Sequence, residues 1–379
     1  MISYKQAGDT RAFGTVSNYI QGPGEMDCMF EHCSAYGHSP LFIITKSLYD
    51  SLSRKFEEIY REHGYSCVSI KFGGASTMAE INRLTGLGQG NGCDVLVAIG
   101  GGAALDTGKA VAVNLGVPMV MVPTTASCDA PCSRITAVYN EDGSVYPLIH
   151  KKNPDLVLVD TEIVVKAPAR LLSAGIGDAL ATWIEAKAGF TAGAVNGINK
   201  GYKISLAGMA VAEAAYKTIL LQGRQAYEAA KLGRRTQAFE DLVEANILLS
   251  GVGFENTACS IAHGFQASAS GAVPEMHHCL HGEKVSYGII VQRLMENAPM
   301  DEIDEIVDFL IDVHLPVTLE ELGVTEDPEK KMRDLAHYGI ENKALMHVEP
   351  FRVTEESLFE ALMFADAVGR RRKEAKKLI

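Results

Sequence analysis

The chain has 379 residues, enough for two domains with a sizeable core, and its 47% hydrophobic and 22% charged content is that of an ordinary globular protein. A net charge of −12 argues against nucleic acid as a partner, and eight scattered cysteines without a paired C-x-x-C spacing argue against a secreted disulfide scaffold or a structural zinc site. The opening MISYKQAGDTRAFG has no apolar leader core and no stretch reaches transmembrane length, so a cytoplasmic protein with no membrane partner is expected.

From Pro40 onward strands and helices alternate. LFIIT at 41–45 precedes an amphipathic stretch from Ser47 to His63, and CVSIKF at 67–72 precedes a helix from Ser76 to Leu84 opened by a serine cap. DVLVAIG at 94–100 is almost wholly apolar, as a strand is when helices cover both faces of a parallel sheet. A helix from Ala103 to Leu115 follows, then strands PMVMVP at 118–123, ITAVY at 135–139 and DLVLVD at 155–160. This alternation predicts a doubly wound α/β domain with a parallel sheet and a nucleotide site at its carboxyl edge.

The third of these strands ends in Gly100-Gly101-Gly102, with Asp106 and Lys109 just beyond. Glycines between a strand and a helix let backbone N–H groups approach a pyrophosphate closely; a tight packing connection is the plainer alternative. The spacing is not the G-x-G-x-x-G fingerprint, so a standard Rossmann loop is not what is written here. After the next strand, Thr124, Thr125, Ser127 and Ser133 crowd hydroxyls onto a loop where such sheets bind ligands. Asp129 lies among them, either as a ligand group or as a turn cap beside Pro131.

Beyond Asp160 the strand signals cease. Residues 167–190, 200–223 and 239–249, the acidic run from Asp301 to His314, and a last helix from the capping Thr354 are all helical in pattern. An α/β domain over 1–163 and an all-α domain over 164–379 are expected, with a metal site in the cleft between them. The terminal cluster Arg370, Arg371, Arg372, Lys373, Lys376 and Lys377 reads as a solvated last turn that complements the helix dipole.

Cys259 to Ile290 carries four of the eleven histidines: His263, His277, His278 and His281. His263 sits in an apolar helical pattern, and His281 opens a second helical run after a break at Pro274. Neutral imidazole is the commonest metal ligand, although a core histidine and loop histidines would look the same. Asp178, between small residues in GIGDALATW, would by itself read as a helix cap. Joined to His263 and His281 it makes one carboxylate and two imidazoles, a set suited to a catalytic zinc with an open position.

GGGAALDTGK, PTTASCDAPCS, GIGDALATW, LLSGVGFE and HHCLHGEKVSYG resemble the glycerol dehydrogenases of the iron-containing (group III) alcohol dehydrogenase superfamily, from about residue 19 to 369. The resemblance implies a nucleotide-binding domain followed by a helical domain, metal ligands Asp178, His263 and His281, and Asp129 on substrate hydroxyls. It implies NAD contacts at Gly100, Gly101, Gly102, Asp106, Thr124, Thr125, Ser127, Ser133, Ile135 and Tyr139, and a homo-octamer. Iron-dependent relatives carry a further histidine four residues after the aspartate; here that position is Thr182, which favours zinc over Fe(II). The acidic residue usual at the end of the first strand is replaced by Thr45-Lys46, so NADP is left open beside NAD.

The expected reaction is metal-dependent hydride transfer from glycerol or a related vicinal diol to the nicotinamide, giving dihydroxyacetone or a hydroxyketone. His277 or a ribose hydroxyl is the candidate proton outlet, and Asp178 and His263 also border the substrate. The alternatives are a glycerol-1-phosphate dehydrogenase, for which Arg134 is the single cation near Asp129, and an inactive metal- or nucleotide-binding module.

Overall fold

The structure, a computed structural model, describes residues 10–140, 145–197 and 201–377. The first nine residues, and Lys200 at the head of the helix expected over 200–223, lie outside the described residues.

Thr15–Pro168 form one compact unit. Its strands are β1 (Asn18–Gly22), β2 (Pro40–Ile44), β3 (Val68–Lys71), β4 (Val95–Gly100), β5 (Met119–Pro123), β6 (Ile135–Tyr139), β7 (Val145–Ile149) and β8 (Leu156–Asp160). Its helices are α1 (Met29–Ser34), α2 (Tyr49–Glu62), α3 (Met78–Gly90), α4 (Gly102–Leu115) and α5 (Thr161–Val164). Six strands make an all-parallel sheet in the order β1-β8-β5-β4-β2-β3. Every residue of β2, β4, β5 and β8 is buried, which is why these strands read as unbroken apolar runs. The chain leaves β2 toward β3 on one side and leaves β4 toward β5 on the other. The sheet therefore reverses direction between β2 and β4, and ligands of such sheets bind at that reversal. Helix α4 lies close on the sheet because Gly108 has no side chain: a Cβ there would come within 2.4 Å of the Ala98 Cβ.

Two expectations are corrected here. ITAVY is not a strand of the parallel sheet; β6 pairs antiparallel with β7, Ile135 opposite Ile149. Only a loop and a three-residue 3-10 turn, Ala130–Cys132, separate it from β5, and without a crossover helix a parallel return is out of reach. Helix α3 is capped by Thr77, whose hydroxyl accepts from Glu80 N at 3.2 Å, and Ser76 is instead buried with its carbonyl accepting from Tyr139 N. Strands β1 and β7 escaped the sequence reading because β1 lacks an apolar run and Pro147 interrupts that of β7.

The second unit runs from Ala169 onward and, among the described residues before Thr15, takes in Thr10–Gly14. Its helices are α6 (Ala169–Ala192), α7 (Leu206–Lys231), α8 (Gln237–Glu244), α9 (Ser250–Asn256), α10 (Ile261–Ala272), α11 (His281–Met295), α12 (Met300–Asp312), α13 (Pro328–Asn342) and α14 (Glu355–Lys377). A π-helical turn, Ala245–Leu249, joins α8 to α9. Gly14 exchanges two hydrogen bonds with the buried Asn256 side chain, at 2.8 and 2.7 Å, which ties the early segment to this unit. The division falls after Pro168 instead of at 163–164, since α5 is capped by the Asp160 side chain that ends β8.

The basic terminus is more than a solvated turn. Arg371 and Arg372 of α14 pair with Asp304 and Asp308 of α12, Lys376 pairs with Asp312, and Lys373 with Glu321. Exposed pairs of this kind contribute only about 0–1 kcal/mol each, but they give the acidic face of α12 its partner. Thr354 does cap α14, accepting from Ser357 N at 3.2 Å. Among the described residues no helix is long and apolar enough to cross a membrane.

Candidate metal and nucleotide sites

Three helices of the second unit carry the predicted ligands. Asp178 lies in the buried middle of α6, His263 in the first turn of α10, and His281 is the first residue of α11. Asp178 Oδ1 stands 3.2 Å from His263 Nε2 and 3.0 Å from His281 Nε2. All three donor atoms fall within 4.8 Å of one another. The Asp178 side chain is 1% exposed and that of His281 42%, so the set is closed on the helix side and open on the other. Burial opposes ionisation of Asp178, but the neighbouring imidazoles of His281 and His263 outweigh it in the metal-free protein and hold its carboxyl below the usual carboxylate range.

Glycines set this spacing. A Cβ on Gly282 would sit 1.7 Å from Ala174 O, and one on Gly177 would sit 2.4 Å from Gly282 O. Helices α6 and α11 thus touch backbone to backbone beside the residues that carry Asp178 and His281. Glu283 secures the same contact from the side. Its carboxylate accepts from Leu280 N at 2.7 Å, capping α11, and from Arg170 of α6 at 2.5 and 2.8 Å.

Glu185, two turns after Asp178 on α6, was missed by the sequence reading. It is fully buried, and its Oε2 accepts from His263 Nδ1 at 2.6 Å, leaving Nε2 facing Asp178. The signal was present: positions seven apart share a helix face, and the other residues on this face are small, Ala174, Ala181, Thr182 and Ala188. Thr182 is buried and its hydroxyl bonds to Ser250 Oγ at 2.9 Å, where the π turn delivers α9. That hydroxyl is occupied by a neighbour and is no part of the ligand set. His277 belongs to neither cluster of potential ligands; it is exposed and donates from Nε2 to Ser270 O at 3.0 Å.

A carboxylate and two imidazoles with Nε2 turned inward fit a first-row divalent cation of mixed N/O preference, and three protein ligands leave room for a substrate oxygen.

In the first unit the glycine loop stands where expected. Gly100 ends β4, Gly101 caps α4, and Gly102 begins it, so the free N–H groups of the first helical turn point out of the sheet's carboxyl edge. Thr45, at the end of β2, lies beside Gly100, marking the reversal point between β2 and β4. Thr125 and Ser127 hydrogen-bond at 3.0 Å on the loop after β5, and Thr124 and Ser133 are buried there. Asp129 is half-buried and leads the 3-10 turn that follows. Ile135 and Tyr139 lie on the outward face of the β6–β7 hairpin, Tyr139 being exposed.

Asp106 has a structural task. It is buried, pairs with the fully buried Lys109 at 2.8 Å, and accepts from Ala137 N at 3.1 Å. Lys109 in turn donates to Ala130 O at 3.0 Å and to Ile135 O, so one buried ion pair holds the loop and hairpin against α4.

A sheet with a glycine-lined nucleotide edge and a helix-borne carboxylate–imidazole set are together the equipment of a metal-dependent oxidoreductase. Comparison with known proteins agrees. Residues 17–161 match the family model described as iron-containing alcohol dehydrogenase. The chain is 39% identical over 354 residues to the glycerol dehydrogenase of Citrobacter freundii, covering 93% of this chain and 96% of that one. It is 36% identical to the glycolaldehyde reductase of Halobacterium salinarum, with 96% and 99% covered. The crystal structure of a probable glycerol dehydrogenase from Sinorhizobium meliloti superposes with a TM-score of 0.90 at 36% identity, covering 95% of this chain and 99% of that one. The chain belongs to the iron-containing alcohol dehydrogenase family and is an oxidoreductase.

Proposed function

We propose that the protein oxidises glycerol, or a related vicinal diol, by hydride transfer from a secondary carbinol carbon to NAD. The observation that carries this reading is the convergence of Asp178 Oδ1, His263 Nε2 and His281 Nε2 on one point, within a family of alcohol dehydrogenases. A divalent cation held by these residues would supply Lewis acidity toward a substrate hydroxyl, and the nicotinamide would supply the hydride acceptor. Zinc is the proposed cation, because the position four residues beyond Asp178 is Thr182, already bonded to Ser250. The chain's own residues then bind and orient. Asp129 accepts from a polyol hydroxyl, the N–H groups of Gly101 and Gly102 receive the pyrophosphate, and Thr124, Thr125, Ser127 and Ser133 line its approach. A homo-oligomer, an octamer by resemblance, is proposed as the working form.

A phosphorylated polyol is disfavoured. Arg134, the cation nearest Asp129 in sequence, is buried and donates to Asn153 Oδ1 at 2.7 Å. Run in reverse the same site would reduce a hydroxyketone; reduction of a hydroxyaldehyde to a primary alcohol is a second reading, favoured by the similarity to the Halobacterium enzyme. The test is steady-state turnover of glycerol with NAD and NADP, and of glycolaldehyde with NADH, on protein stripped of metal and reloaded with zinc or Fe(II). Zinc-restored glycerol oxidation supports the proposal. Metal-independent turnover, or a kcat/KM for glycolaldehyde orders of magnitude above that for glycerol, refutes it.

A further inference from the structure

The two nitrogens of His263 serve two different donor sets. One is Asp178, His263 and His281; the other is Glu185, Cys259 and the same His263, whose donor atoms also lie within 4.8 Å of one another. A neutral imidazole has one proton, and the nitrogen that carries it cannot bind a cation. Which set operates is therefore decided by whatever holds that proton. Glu185 Oε2 contacts Nδ1 at 2.6 Å, while its Oε1 accepts from the backbone N–H groups of Ser260 and His263, each at 2.8 Å.

We propose that Glu185 is a positioning residue: it keeps the His263 proton on Nδ1, turns Nε2 toward Asp178 and His281, and closes the set that contains Cys259. Two backbone donors already converge on its buried carboxylate, which favours the ionised, acceptor-only form; the proton of the short contact then belongs to the ring. A second carboxyl nearby does not compete for this charge. Ser260 Oγ bonds to both Val348 O, at 2.8 Å, and Glu349 Oε1, at 2.6 Å. A hydroxyl has one proton and a carbonyl has none to give, so both contacts are made when Glu349 is protonated. Burial, with the charges of Glu296 and Glu185, pushes the Glu349 carboxyl up to about 8 despite its bond to Ser260, in keeping with a neutral acid.

The argument makes an isosteric amide informative. In Glu185→Gln only one oxygen remains. If it keeps the two backbone N–H bonds, the amide N–H₂ faces Nδ1 and forces the ring proton to Nε2, the nitrogen required for ligation. The inference rests on the proposed metal dependence, so its test uses metal binding alone, without turnover. Cobalt(II) is titrated into metal-stripped full-length protein, with affinity read by chelator competition and ligation by the visible and near-ultraviolet spectra. Wild type is expected to show no thiolate-to-cobalt charge-transfer band, and Glu185→Gln to bind about 10- to 100-fold more weakly. Glu349→Gln is expected to bind like wild type. A thiolate band in wild type, wild-type affinity and spectrum in Glu185→Gln, or an equal loss in Glu349→Gln would each overturn the assignment. Should the glutamine variant fail to fold, Glu185→Asp retracts the carboxylate by one methylene and keeps its charge. A weaker loss of affinity then supports the role, and none overturns it. If cobalt binds as described but glycerol is not oxidised, the function proposal alone fails.

Discussion

Gly282→Ala tests whether backbone contact between α6 and α11 sets the metal geometry. The added Cβ would lie 1.7 Å from Ala174 O and 3.1 Å from Asp178 N, both main-chain atoms that cannot rotate aside. Relieving the first contact to 3.0 Å opens the two helices by about 1.3 Å. The separation of Asp178 Oδ1 and His281 Nε2, now 3.0 Å, would grow by a comparable amount. Metal–ligand bonds of about 2.0–2.2 Å tolerate errors of about 0.2 Å, so the opened set loses a ligand. Overpacking of this kind costs about 1–3 kcal/mol of stability, and backbone collision belongs at the upper end. Thermal unfolding of the metal-stripped protein measures the second effect and chelator competition the first. We expect a lower Tm and a metal affinity reduced by at least tenfold. Wild-type affinity in a folded Gly282→Ala protein would refute the claim that this contact positions the ligands.

Three further predictions follow from other parts of the molecule. Asp129→Asn should raise the KM for glycerol about tenfold, with less effect on that for NAD, because an amide oxygen accepts more weakly than a carboxylate; equal effects on both would make Asp129 structural. Thr45→Asp should raise the preference for NAD over NADP by up to about fivefold, since an exposed charge interaction is worth about 0–1 kcal/mol. Lys46, whose charge reaches Glu80 in the first turn of α3, is the cation this carboxylate would oppose; an unchanged preference in kcat/KM means the ribose is held elsewhere. Glu349→Gln should flatten the dependence of stability on pH between the ordinary carboxylate value and about 8. A carboxyl raised on folding binds its proton more tightly in the native state, so its contribution is complete below the unfolded value and is lost as pH rises toward 8. Parallel urea midpoints for wild type and variant across that window would contradict the neutral-acid assignment.

Much of this protein was legible before any coordinates. The strands β2, β4, β5 and β8 are apolar at every position because both sheet faces are covered, and unbroken runs survive in a one-dimensional reading. Asp178, His263 and His281 stood out because polar residues in small or apolar helical surroundings need a reason to be there. Edge and hairpin strands did not stand out. β1 lacks an apolar run, Pro147 interrupts that of β7, and β6 looks like any other strand until its antiparallel partner is known. Helix α13 carried a readable stripe at Met332, Leu335, Ala336 and Gly339, but its many charges masked it.

What the tertiary structure alone decided is partnership. Composition marks Asp106 as a polar residue after a glycine loop; only packing shows it buried against Lys109 and the hairpin. Histidines in one stretch look equivalent on paper, yet His263 and His281 meet Asp178 while His277 turns to Ser270. Gly177 and Gly282 are more than a hundred residues apart, and nothing local says that their missing side chains face each other. Local pattern reports whether a residue is buried, because burial follows the period of its own element. It cannot report against what, because that depends on which faces of distant elements are brought together.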